Sequence, residues 1–412
     1  MICQPEVNKA RPLIMHIDLN SCFATVEQQA RPLLRGKPVA IVNRRTEHTM
    51  IVTASYEAKR LGIDLGTSLK KARQLAPNLI GIESDPPKYR YVYHRLMNIM
   101  GDYSAHVRMK SIDEGVIDFT EATEITRKRP LVNIAREIKQ RLREEVGCAM
   151  RCNIGIGTNR FLAKTAASLN KPDGLDEITH KNLREILGSL ELTDLNGIAI
   201  RNKLRLNNYG IFTPLQFLDT PAKLLKNGVF KSIVGEYWHQ RLRGWEVDKR
   251  DFPLRTAGRQ YVLESRNLNQ QQLLQRLHTI CEAVGAKVRG QNLVARGVSI
   301  HTRDYNHNYW HARHLSPVPF FSDKAIYNVA KHLFEKAPKP IREFGVSCYM
   351  LEDDHNEQLG MFGDNCIAES RITNVIDDIN GRFGRRTVHS AHTLNTGMYE
   401  EPKIPFGSTR YL

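Results

Sequence analysis

Apolar and polar positions divide the first part of the chain into predicted strands and helices. Patterns typical of strands lie at residues 12–18, 37–42, 50–54, 107–112, 116–119 and 152–157. Helical patterns lie at residues 20–29, 56–76, 88–103, 134–145 and 160–169. Because the strands alternate with helices and include one hairpin, the pattern predicts an α+β domain with a mixed sheet.

The pattern changes twice in the second part of the chain. Residues 181–245 are helical throughout, and residues 246–258 have no period and many charges, which is typical of a linker. Strands are then predicted at 261–263, 298–303, 309–316 and 344–351, and helices at 268–288 and 322–336. This order, β-α-β-β-α-β, matches the ferredoxin-like motif and predicts a second α+β unit.

The charge of the chain points to a polyanionic partner. Its 412 residues predict about two to four domains and carry a formal net charge of +16, which favours nucleic acid or an anionic membrane. No run of about 18 apolar residues predicts a membrane-spanning helix, and no secretory signal is evident. The seven cysteines lack zinc-site spacing and are expected to be free thiols in a reducing cytoplasm.

Three carboxylates interrupt segments that otherwise predict buried strands. Asp18 ends an apolar run, and Asp113 and Glu114 stand side by side in the predicted hairpin. If they converge, each pair repels by about 4 kcal/mol at ~4 Å and an effective dielectric of ~20, and divalent cations relieve that repulsion. Carboxylates that hold two metal ions are what phosphoryl transfer needs. The alternative is that Asp18 caps a helix and the other two acids face solvent in a turn.

Three further positions suit a nucleoside triphosphate. Phe23 lies on the first turn of the helix after Asp18, where its ring suits the sugar and excludes a 2′ hydroxyl; the alternative is a core position. Residues 53–59 leave a strand and enter a helix, so backbone N–H groups, a hydroxyl and a lysine suit phosphate oxygens. Lys171 stands at a helix end before a proline-glycine turn. An ordinary capped helix and a lysine favoured by the helix dipole stay open as alternatives.

Other positions suit DNA or a protein partner. Gly197 and Ala199 lie in a turn like that of a helix-hairpin-helix, which grips phosphate through backbone amides; a plain helical subdomain is the alternative. One face of the second sheet carries Ser299, His301 and Arg303. After it comes a run suited to a groove on a partner, unless it packs back on its own domain. That run contains Gln358, Leu359, Met361 and Phe362.

Together these segments resemble the Y-family of translesion DNA polymerases, and most closely the DinB, or DNA polymerase IV, group. The similarity runs in family order through residues 18–23, 36–39, 53–59, 111–114, 161–164 and 170–174. It implies an α+β multidomain, right-hand polymerase with a ferredoxin-like palm, small fingers, a helical thumb and a β-α-β-β-α-β little finger. The implied domains are palm (1–32 and 81–178), fingers (33–80), thumb (179–245), linker (246–258), little finger (259–355) and C-terminal tail (356–412).

The resemblance also implies roles for residues and partners. Two Mg²⁺ ions, with Mn²⁺ as a possible substitute, would be held by Asp18, Asp113, Glu114 and the backbone of Leu19. Phe23 would be the steric gate against ribonucleotides, and the other nucleotide contacts would be Cys22, Thr53, Tyr56, Lys59 and Lys171. The partners would be primer–template DNA, dNTP and, through residues 358–362, a bacterial sliding clamp. The protein is expected to be a monomer at the nucleoid in the bacterial cytoplasm, with no membrane association.

Three departures from the family pattern change these expectations. Lys59 stands where arginine is usual, which predicts a looser triphosphate grip because the bidentate fork is lost. Gly115 stands where alanine is common and is expected to soften the hairpin. The clamp-like run is followed by about fifty residues rather than ending the chain, and residues 374–382 predict a helix there.

Two other functions are compatible with parts of the pattern. One is a catalytically inactive DNA-binding subunit of a mutagenesis complex, which would be expected to lack the acids. The other is a nucleotidyl cyclase, which shares a palm-like sheet with two metal-binding acids. The presence of Asp18, Asp113 and Glu114 favours an active enzyme, and the basic charge and the additional domains disfavour a cyclase.

Overall fold

The chain folds into two compact units. The computed structural model describes residues 6–44, 46–249, 253–263, 265–320, 322–353 and 364–394, with the backbone alone for 364–370. The described part of unit 1 ends at residue 249 and that of unit 2 begins at residue 253. The division between the units therefore falls inside the predicted linker.

Unit 1 contains eight described strands and twelve described α-helices. The strands are β1 (Ile14–Leu19), β2 (Val39–Val42), β3 (Ile51–Ala54), β4 (Ile80–Glu83), β5 (Val107–Met109), β6 (Glu114–Asp118), β7 (Cys152–Gly157) and β8 (Leu175–Glu177). The helices are α1 (Cys22–Ala30), α2 (Tyr56–Lys59), α3 (Leu69–Leu75), α4 (Pro86–Gly101), α5 (Glu124–Lys128), α6 (Leu131–Arg141), α7 (Arg160–Leu169), α8 (Leu183–Gly188), α9 (Ile200–Asn207), α10 (Pro214–Asp219), α11 (Ala222–Leu224) and α12 (Val234–Leu242).

The largest sheet of unit 1 has the strand order β5-β6-β1-β7-β8. Its first four strands are mutually antiparallel, and β8 joins the edge parallel to β7. The first strand in sequence, β1, lies between the third and fourth strands of this set, as the predicted ferredoxin-like arrangement requires. Helices α1, α4 and α6 supply most of the other buried apolar side chains of this core, and β1 is therefore the buried centre of the sheet.

A second, small sheet has the order β3-β2-β4. Strand β4 pairs parallel to β2 and crosses the predicted boundary between fingers and palm at residue 80. The helical region predicted at 56–76 is divided into two helices, α2 and α3. The reason is local, because Gly62 and Gly66 between them have φ angles of +78° and +84°, which a helix does not accommodate.

Every regular element described between residues 179 and 245 is helical, as predicted. The aromatic rings of Phe217 and Trp238 pack with centroids 5.5 Å apart, and Phe161 of α7 meets Trp238 edge-on at 5.5 Å. These contacts attach the helical region to the end of the large sheet, because α7 packs on β7 and β1.

Strand β7 and helix α7 approach each other as closely as two backbones allow. A Cβ placed on Gly155 would lie 2.0 Å from the carbonyl oxygen of Ala163 and 2.2 Å from the backbone nitrogen of Ala167. A side chain there would have to displace backbone rather than a mobile side chain. Glycine at this position therefore fixes the spacing between the strand and the helix.

The first residues of the predicted linker are pinned to unit 1. Glu246 forms an ion pair of 2.7 Å with the nearly buried Arg160, which also contacts Asp118 at 3.2 Å. Asp248 pairs with Arg241 at 2.5 Å. Residues 246–248 are therefore part of unit 1, although their charge pattern indicates a linker.

Unit 2 is built on one antiparallel sheet. Its strands are β9 (Thr256–Val262), β10 (Leu293–Arg303), β11 (Tyr309–Phe320) and β12 (Glu343–Asp353), in the order β11-β10-β12-β9. Its described α-helices are α13 (Gln270–Arg289), α14 (Asp323–Phe334) and α15 (Asp364–Phe383). Strand β9 begins at Thr256, inside the predicted linker. Only Ala257 among its residues is buried, so the apolar period of two that would have predicted the strand is weak.

The sequence order β-α-β-β-α-β is confirmed, but the ferredoxin-like arrangement predicted from it is wrong for unit 2. A ferredoxin-like sheet places its first strand between the third and the fourth, whereas β9 lies at the edge beside β12. Strand β10 is central instead, because it pairs along its length with both β11 and β12. The order of elements in sequence does not determine their order in space.

The helix after β12 and the turn beyond it pack on α13. Arg289, whose side chain is only 6% exposed, pairs with Asp323 at 2.8 Å and with Asp377 of α15 at 2.6 Å. Arg386 pairs with Glu282 at 2.7 Å, and the backbone nitrogen of Ser390 donates to the same carboxylate. Residues 371–394 are thus an integral part of unit 2.

Candidate functional site

The three predicted acids meet at one end of the central strands of unit 1. Asp18 of β1 stands opposite Glu114 of β6 in the antiparallel ladder. Asp113 immediately precedes β6, and its carbonyl oxygen accepts a hydrogen bond of 2.8 Å from the backbone nitrogen of Leu19. Strand pairing thus brings together carboxylates that are far apart in sequence, and it excludes the alternative in which they are unrelated turn and cap residues.

Two lysines and a histidine contact two of these acids. The Lys171 ammonium lies 2.6 Å from Asp18 Oδ2, and the Lys164 ammonium lies 2.6 Å from Glu114 Oε2. His16 Nε2 lies 3.3 Å from the same Glu114 oxygen. Burial raises the pKa of Glu114, but hydrogen bonds from His16 and Lys164 outweigh it and hold that pKa at about 2.

Asp113 is in the opposite electrostatic situation. Burial raises the pKa of Asp113, and the charges of Asp18 and Glu114 raise it further, while a hydrogen bond from Ser111 opposes the shift. Its Oδ1 accepts a 2.5 Å hydrogen bond from that hydroxyl. The carboxylate therefore lies in a field of excess negative charge, which an additional cation would relieve.

His16 and Lys164 are site residues that the sequence analysis missed. His16 is two residues before Asp18 on β1, so both side chains lie on the same face of the strand. The sequence did carry a signal for His16, which is a polar residue within an apolar run, two positions before Asp18. Lys164 belongs to a segment that supports the family resemblance, but its pairing with Glu114 depends on how α7 packs against the sheet, which no local pattern reveals.

The space beside Gly115 is filled by neighbouring side chains. A Cβ on Gly115 would lie 2.7 Å from Met109 Sδ and 2.8 Å from Met100 Cε. Two flexible methionine side chains thus fill the space that an alanine methyl group would occupy, and the strand beside the acids remains closely packed.

Most of the predicted nucleotide contacts surround the acids. Burial, with the charges of Asp113 and Asp18, raises the pKa of the Cys22 thiol well above its usual value. Burial and the charge of Asp18 also raise the pKa of Tyr56. Desolvation lowers the pKa of Lys59, whose other electrostatic neighbours include Lys171 and Asp18. These interactions place the start of α2 next to the acidic end of β1.

Phe23 and Thr53 take up different environments. Phe23 is a buried member of the main core and stacks on Tyr89. Thr53 lies on β3 opposite Ile41 in the small sheet. Phe23 is therefore a core residue, as the alternative proposed. A role as a steric gate would depend on one face of this packed ring.

The acid cluster fits hard divalent cations by its chemistry. Three carboxylates are the oxygen ligands that Mg²⁺ prefers, and the charges of Asp18 and Glu114 contribute, after burial, to the raised pKa of Asp113. Within the described ranges, no group of three or more acidic, imidazole or thiol side chains is arranged to hold a metal ion. Lys171 and Lys164 contact two of the acids, so these lysines would have to move aside for cation binding.

The predicted DNA contacts belong to the helical region of unit 1 and to the sheet of unit 2. Gly197 has a φ of +97° and precedes α9, whose first residue follows Ala199. In unit 2, the Ser299 hydroxyl donates to the carbonyl of Ser347, and Arg303 pairs with Glu343 at 3.1 Å. His301 stacks on Tyr309 with ring centroids 5.9 Å apart. The predicted clamp contacts lie outside the described residues: Gln358, Leu359, Met361 and Phe362.

Comparison with known proteins identifies relatives of both units. A family model described as the impB/mucB/samB family matches residues 17–168, and the model of that family's C-terminal domain matches residues 258–361. The chain is 31% identical to DNA polymerase IV of Moorella thermoacetica over 92% of this chain and 96% of the relative. It is 29% identical to DNA polymerase IV of Oceanobacillus iheyensis, over 97% and 96% of the two chains.

Solved structures show the same fold. A Y-family DNA polymerase chimera of Dbh aligns with a TM-score of 0.70 at 23% identity, covering 82% of this chain and 99% of the other. DinB from Sulfolobus solfataricus aligns with a TM-score of 0.52 at 24% identity, covering 82% and 98%. The ferredoxin-like sheet with its acidic end, the small sheet and the helical region define a right-hand polymerase of the Y-family type.

The particular family follows from the sequence matches. The chain belongs to the impB/mucB/samB family, in the DinB-like group that contains DNA polymerase IV. The predicted family, fold class and enzyme class, a DNA-directed DNA polymerase of translesion synthesis, are thereby confirmed, and neither alternative function is favoured. In the part of the chain that the structure describes, no helix is both long and apolar enough to cross a bilayer.

Proposed function

We propose that unit 1 carries out template-directed, low-fidelity DNA synthesis across damaged template, transferring a nucleotide from dNTP to a primer 3′ hydroxyl. The observation that carries this proposal is the convergence of Asp18, Asp113 and Glu114 at one end of the ferredoxin-like sheet. These carboxylates, with the Leu19 backbone, would hold two Mg²⁺ ions, or Mn²⁺ in their place. Such ions lower the pKa of the attacking hydroxyl and neutralise charge on the leaving pyrophosphate.

The residues around the acids would contact different parts of the nucleotide. Lys171, Lys59, Tyr56 and Thr53 would contact the triphosphate, and Cys22 and Phe23 would lie against the sugar. Lys171 is the best-placed cation, because its ammonium already lies 2.6 Å from Asp18 Oδ2. When a triphosphate binds, the Lys171 ammonium would exchange a carboxylate oxygen of Asp18 for a phosphate oxygen. Its desolvation penalty would therefore not increase.

The proposed domains follow the boundaries predicted from the sequence, with two shifts suggested by the elements. Strand β4 (Ile80–Glu83) would belong to the fingers, and the free linker would be shorter than 246–258, since residues 246–248 are ion-paired to unit 1 and β9 starts at Thr256. Thumb residues Gly197 and Ala199 and the unit 2 face with Ser299, His301 and Arg303 would contact primer–template DNA. The net charge of +16 supports this.

We further propose that the protein works as a monomer at the bacterial nucleoid and binds a sliding clamp through residues 358–362. The support is the similarity of Gln358, Leu359, Met361 and Phe362 to the bacterial clamp-binding motif. Deletion of residues 358–362 should leave unstimulated synthesis unchanged and abolish stimulation by purified clamp. Stimulation that survives the deletion would remove this motif from the proposal.

The polymerase proposal is tested by primer extension. Wild type, with Mg²⁺ and the four dNTPs, should extend a primer across an undamaged template and past an abasic site. The variant Asp113→Ala plus Glu114→Ala should lose extension by at least about 10³-fold, since the metal ions lose two ligands. A matched double variant, Glu124→Ala plus Glu144→Ala, removes two exposed acids and should extend normally. Absence of extension by wild type, or equal activity of both variants, would reject the proposal.

A further inference from the structure

The turn that carries Lys171 is tied at both of its ends to the central strands. The backbone nitrogen of Asp173 donates to Asn20 Oδ1 at 2.8 Å, Asn20 Nδ2 donates to Asn153 Oδ1 at 2.9 Å, and Asn153 Nδ2 donates to the carbonyl of Asn170 at 3.1 Å. Two side-chain amides thus form a continuous bridge from one side of Lys171 to the other.

Both amides are buried. Asn20 is 3% exposed and Asn153 is fully buried, at the end of β1 and within β7. A buried amide that loses its partner costs about 1–3 kcal/mol, so the bridge cannot be broken at one point without leaving polar groups unpaired.

The turn itself is strained and tightly packed. Asp173 has a φ of +61°, a left-handed conformation that costs roughly 1–2 kcal/mol for a residue with a side chain. A Cβ on Gly174 would lie 2.2 Å from the carbonyl oxygen of Asn170 and 2.8 Å from Asn153 Nδ2. The contacts around the turn stabilise this unfavourable backbone conformation.

Helix α6 and the segment that follows it also hold the turn. The Lys139 ammonium donates to the carbonyl oxygens of Asp173 and Gly174, at 2.5 and 3.2 Å. Arg143 pairs with the Asp173 carboxylate at 2.5 Å. The backbone on either side of Lys171 is therefore fixed by the protein, and the partly exposed lysine side chain extends from a fixed point beside Asp18.

We infer that Asn20 and Asn153 are positioning residues for nucleotide binding, which act by holding Lys171 where it meets the triphosphate. The inference rests on the proposed role of Lys171 and deepens it. A pre-organised turn pays its ordering cost in folding rather than on binding, so loss of the bridge weakens the dNTP complex while leaving the chemistry of the bound state less affected.

The test is a double-variant cycle on Asn153 and Lys171. Binding of a non-hydrolysable α,β-methylene dNTP to the full chain on a dideoxy-terminated primer–template gives Kd, and primer extension gives KM and kcat. Lys171→Ala should raise Kd about 10- to 100-fold through the lost charged contact. Asn153→Ala should raise Kd about 5- to 10-fold, with KM changing more than kcat. The double variant should match Lys171→Ala alone, because the bridge acts only through Lys171.

Thr165→Val is the matched control, because it removes a buried hydroxyl of α7 that bonds only to the carbonyl of Phe161. Its Kd should stay within about twofold of wild type, because this hydrogen bond lies within α7 and is not part of the bridge. If Asn153→Ala melts below the assay temperature, Asn153→Ser takes its place in the same cycle.

The outcomes separate this inference from the proposed function. If Lys171→Ala weakens binding but Asn153→Ala does not, or if the two effects multiply in the double variant, the positioning role is wrong and the role of Lys171 stands. If Lys171→Ala leaves Kd unchanged, both the triphosphate role of Lys171 and the inference that rests on it are overturned.

Discussion

The rings of Phe23 and Tyr89 are stacked, with centroids 4.2 Å apart and planes within 10° of each other. The Tyr89 hydroxyl lies 3.3 Å from Glu27, a fully buried carboxylate that also pairs with Lys88 at 3.2 Å. Phe23 is therefore held from behind by a ring whose own position is fixed by hydrogen bonds. A ring that excludes a 2′ hydroxyl by contact must resist displacement, and this arrangement supplies that resistance.

Replacement of Phe23 should change the sugar preference of the enzyme. Phe23→Ala should raise incorporation of ribonucleotides relative to deoxyribonucleotides by at least about tenfold, because a steric clash worth ~1.4 kcal/mol or more is removed. Single-nucleotide insertion with dNTP and rNTP measures this ratio. Tyr89→Phe keeps the stack while removing the hydroxyl, so its ratio should stay near that of wild type. An unchanged ratio in Phe23→Ala would show that Phe23 is only a core residue.

Two buried histidines should make both units sensitive to acid. Burial and the charge of Arg243 lower the pKa of His239 from 6.5 to about 4. Burial, with the charges of His392 and Arg386, lowers the pKa of His278 from 6.5 to about 4. Between these two pH values the unfolded chain binds protons that the folded chain does not, so the free energy of unfolding falls as the pH falls from about 6.5 to 4, by up to roughly 3 kcal/mol per histidine.

Urea unfolding at pH 7.5 and pH 5 measures this effect. His239→Gln and His278→Gln should each reduce the difference in stability between the two pH values, whereas His180→Gln, at an exposed position, should leave it unchanged. Equal pH dependence in all three variants would show that other groups control acid sensitivity.

The contact of α15 with α13 should contribute to the stability of unit 2. Asp377→Ala removes one carboxylate partner of the nearly buried Arg289 and should cost about 1–3 kcal/mol. Asp378→Ala alters the adjacent, exposed residue and should cost no more than about 0.5 kcal/mol. Denaturant unfolding followed by tryptophan fluorescence compares the variants, in a Trp238→Phe plus Trp245→Phe background that leaves Trp310 of unit 2 as the reporter. Equal losses would mean that the charge pair contributes nothing.

The open face of the unit 2 sheet should contribute to DNA affinity through charge. Primer–template affinity should fall by about 10³–10⁵ between 50 and 200 mM salt if about 6–10 phosphates are contacted. Arg303→Ala should lower the slope of log affinity against log salt by about one. Lys331→Ala removes an exposed charge from α14, on the helical side of the unit, and should leave the slope unchanged. The same slope in wild type, Arg303→Ala and Lys331→Ala would show that DNA does not bind at this face of the sheet.

Strong local patterns predicted the main elements of the fold. Strand β7 and helix α7 have the predicted bounds, because a strand that breaks at glycine and an amphipathic helix are separated by an asparagine cap, Asn159. Strands β4 and β8 were not predicted. Each has only three or four residues without clear alternation, and each becomes a strand only when a neighbouring strand pairs with it.

The site shows the same division between local and long-range information. The acids were recognisable because buried carboxylates are rare in strand-like runs. The partners of the acids were not, since the contact of Lys171 with Asp18 spans 153 positions and that of Lys164 with Glu114 spans 50. Such pairs depend on the strand order of the sheet, and the error for unit 2 shows that this order cannot be taken from the sequence of elements alone.

The contact between Gly155 and α7 has a consequence for genetics. Gly155 has no group that could touch a substrate, yet a methyl group there would push away the helix that carries Lys164 and leads into the turn of Lys171. A random screen for loss of DNA synthesis should therefore recover substitutions at this glycine beside those at the acids. Inactivating substitutions are therefore expected at the position that sets the spacing between two backbones, as well as at the side chains that perform the reaction.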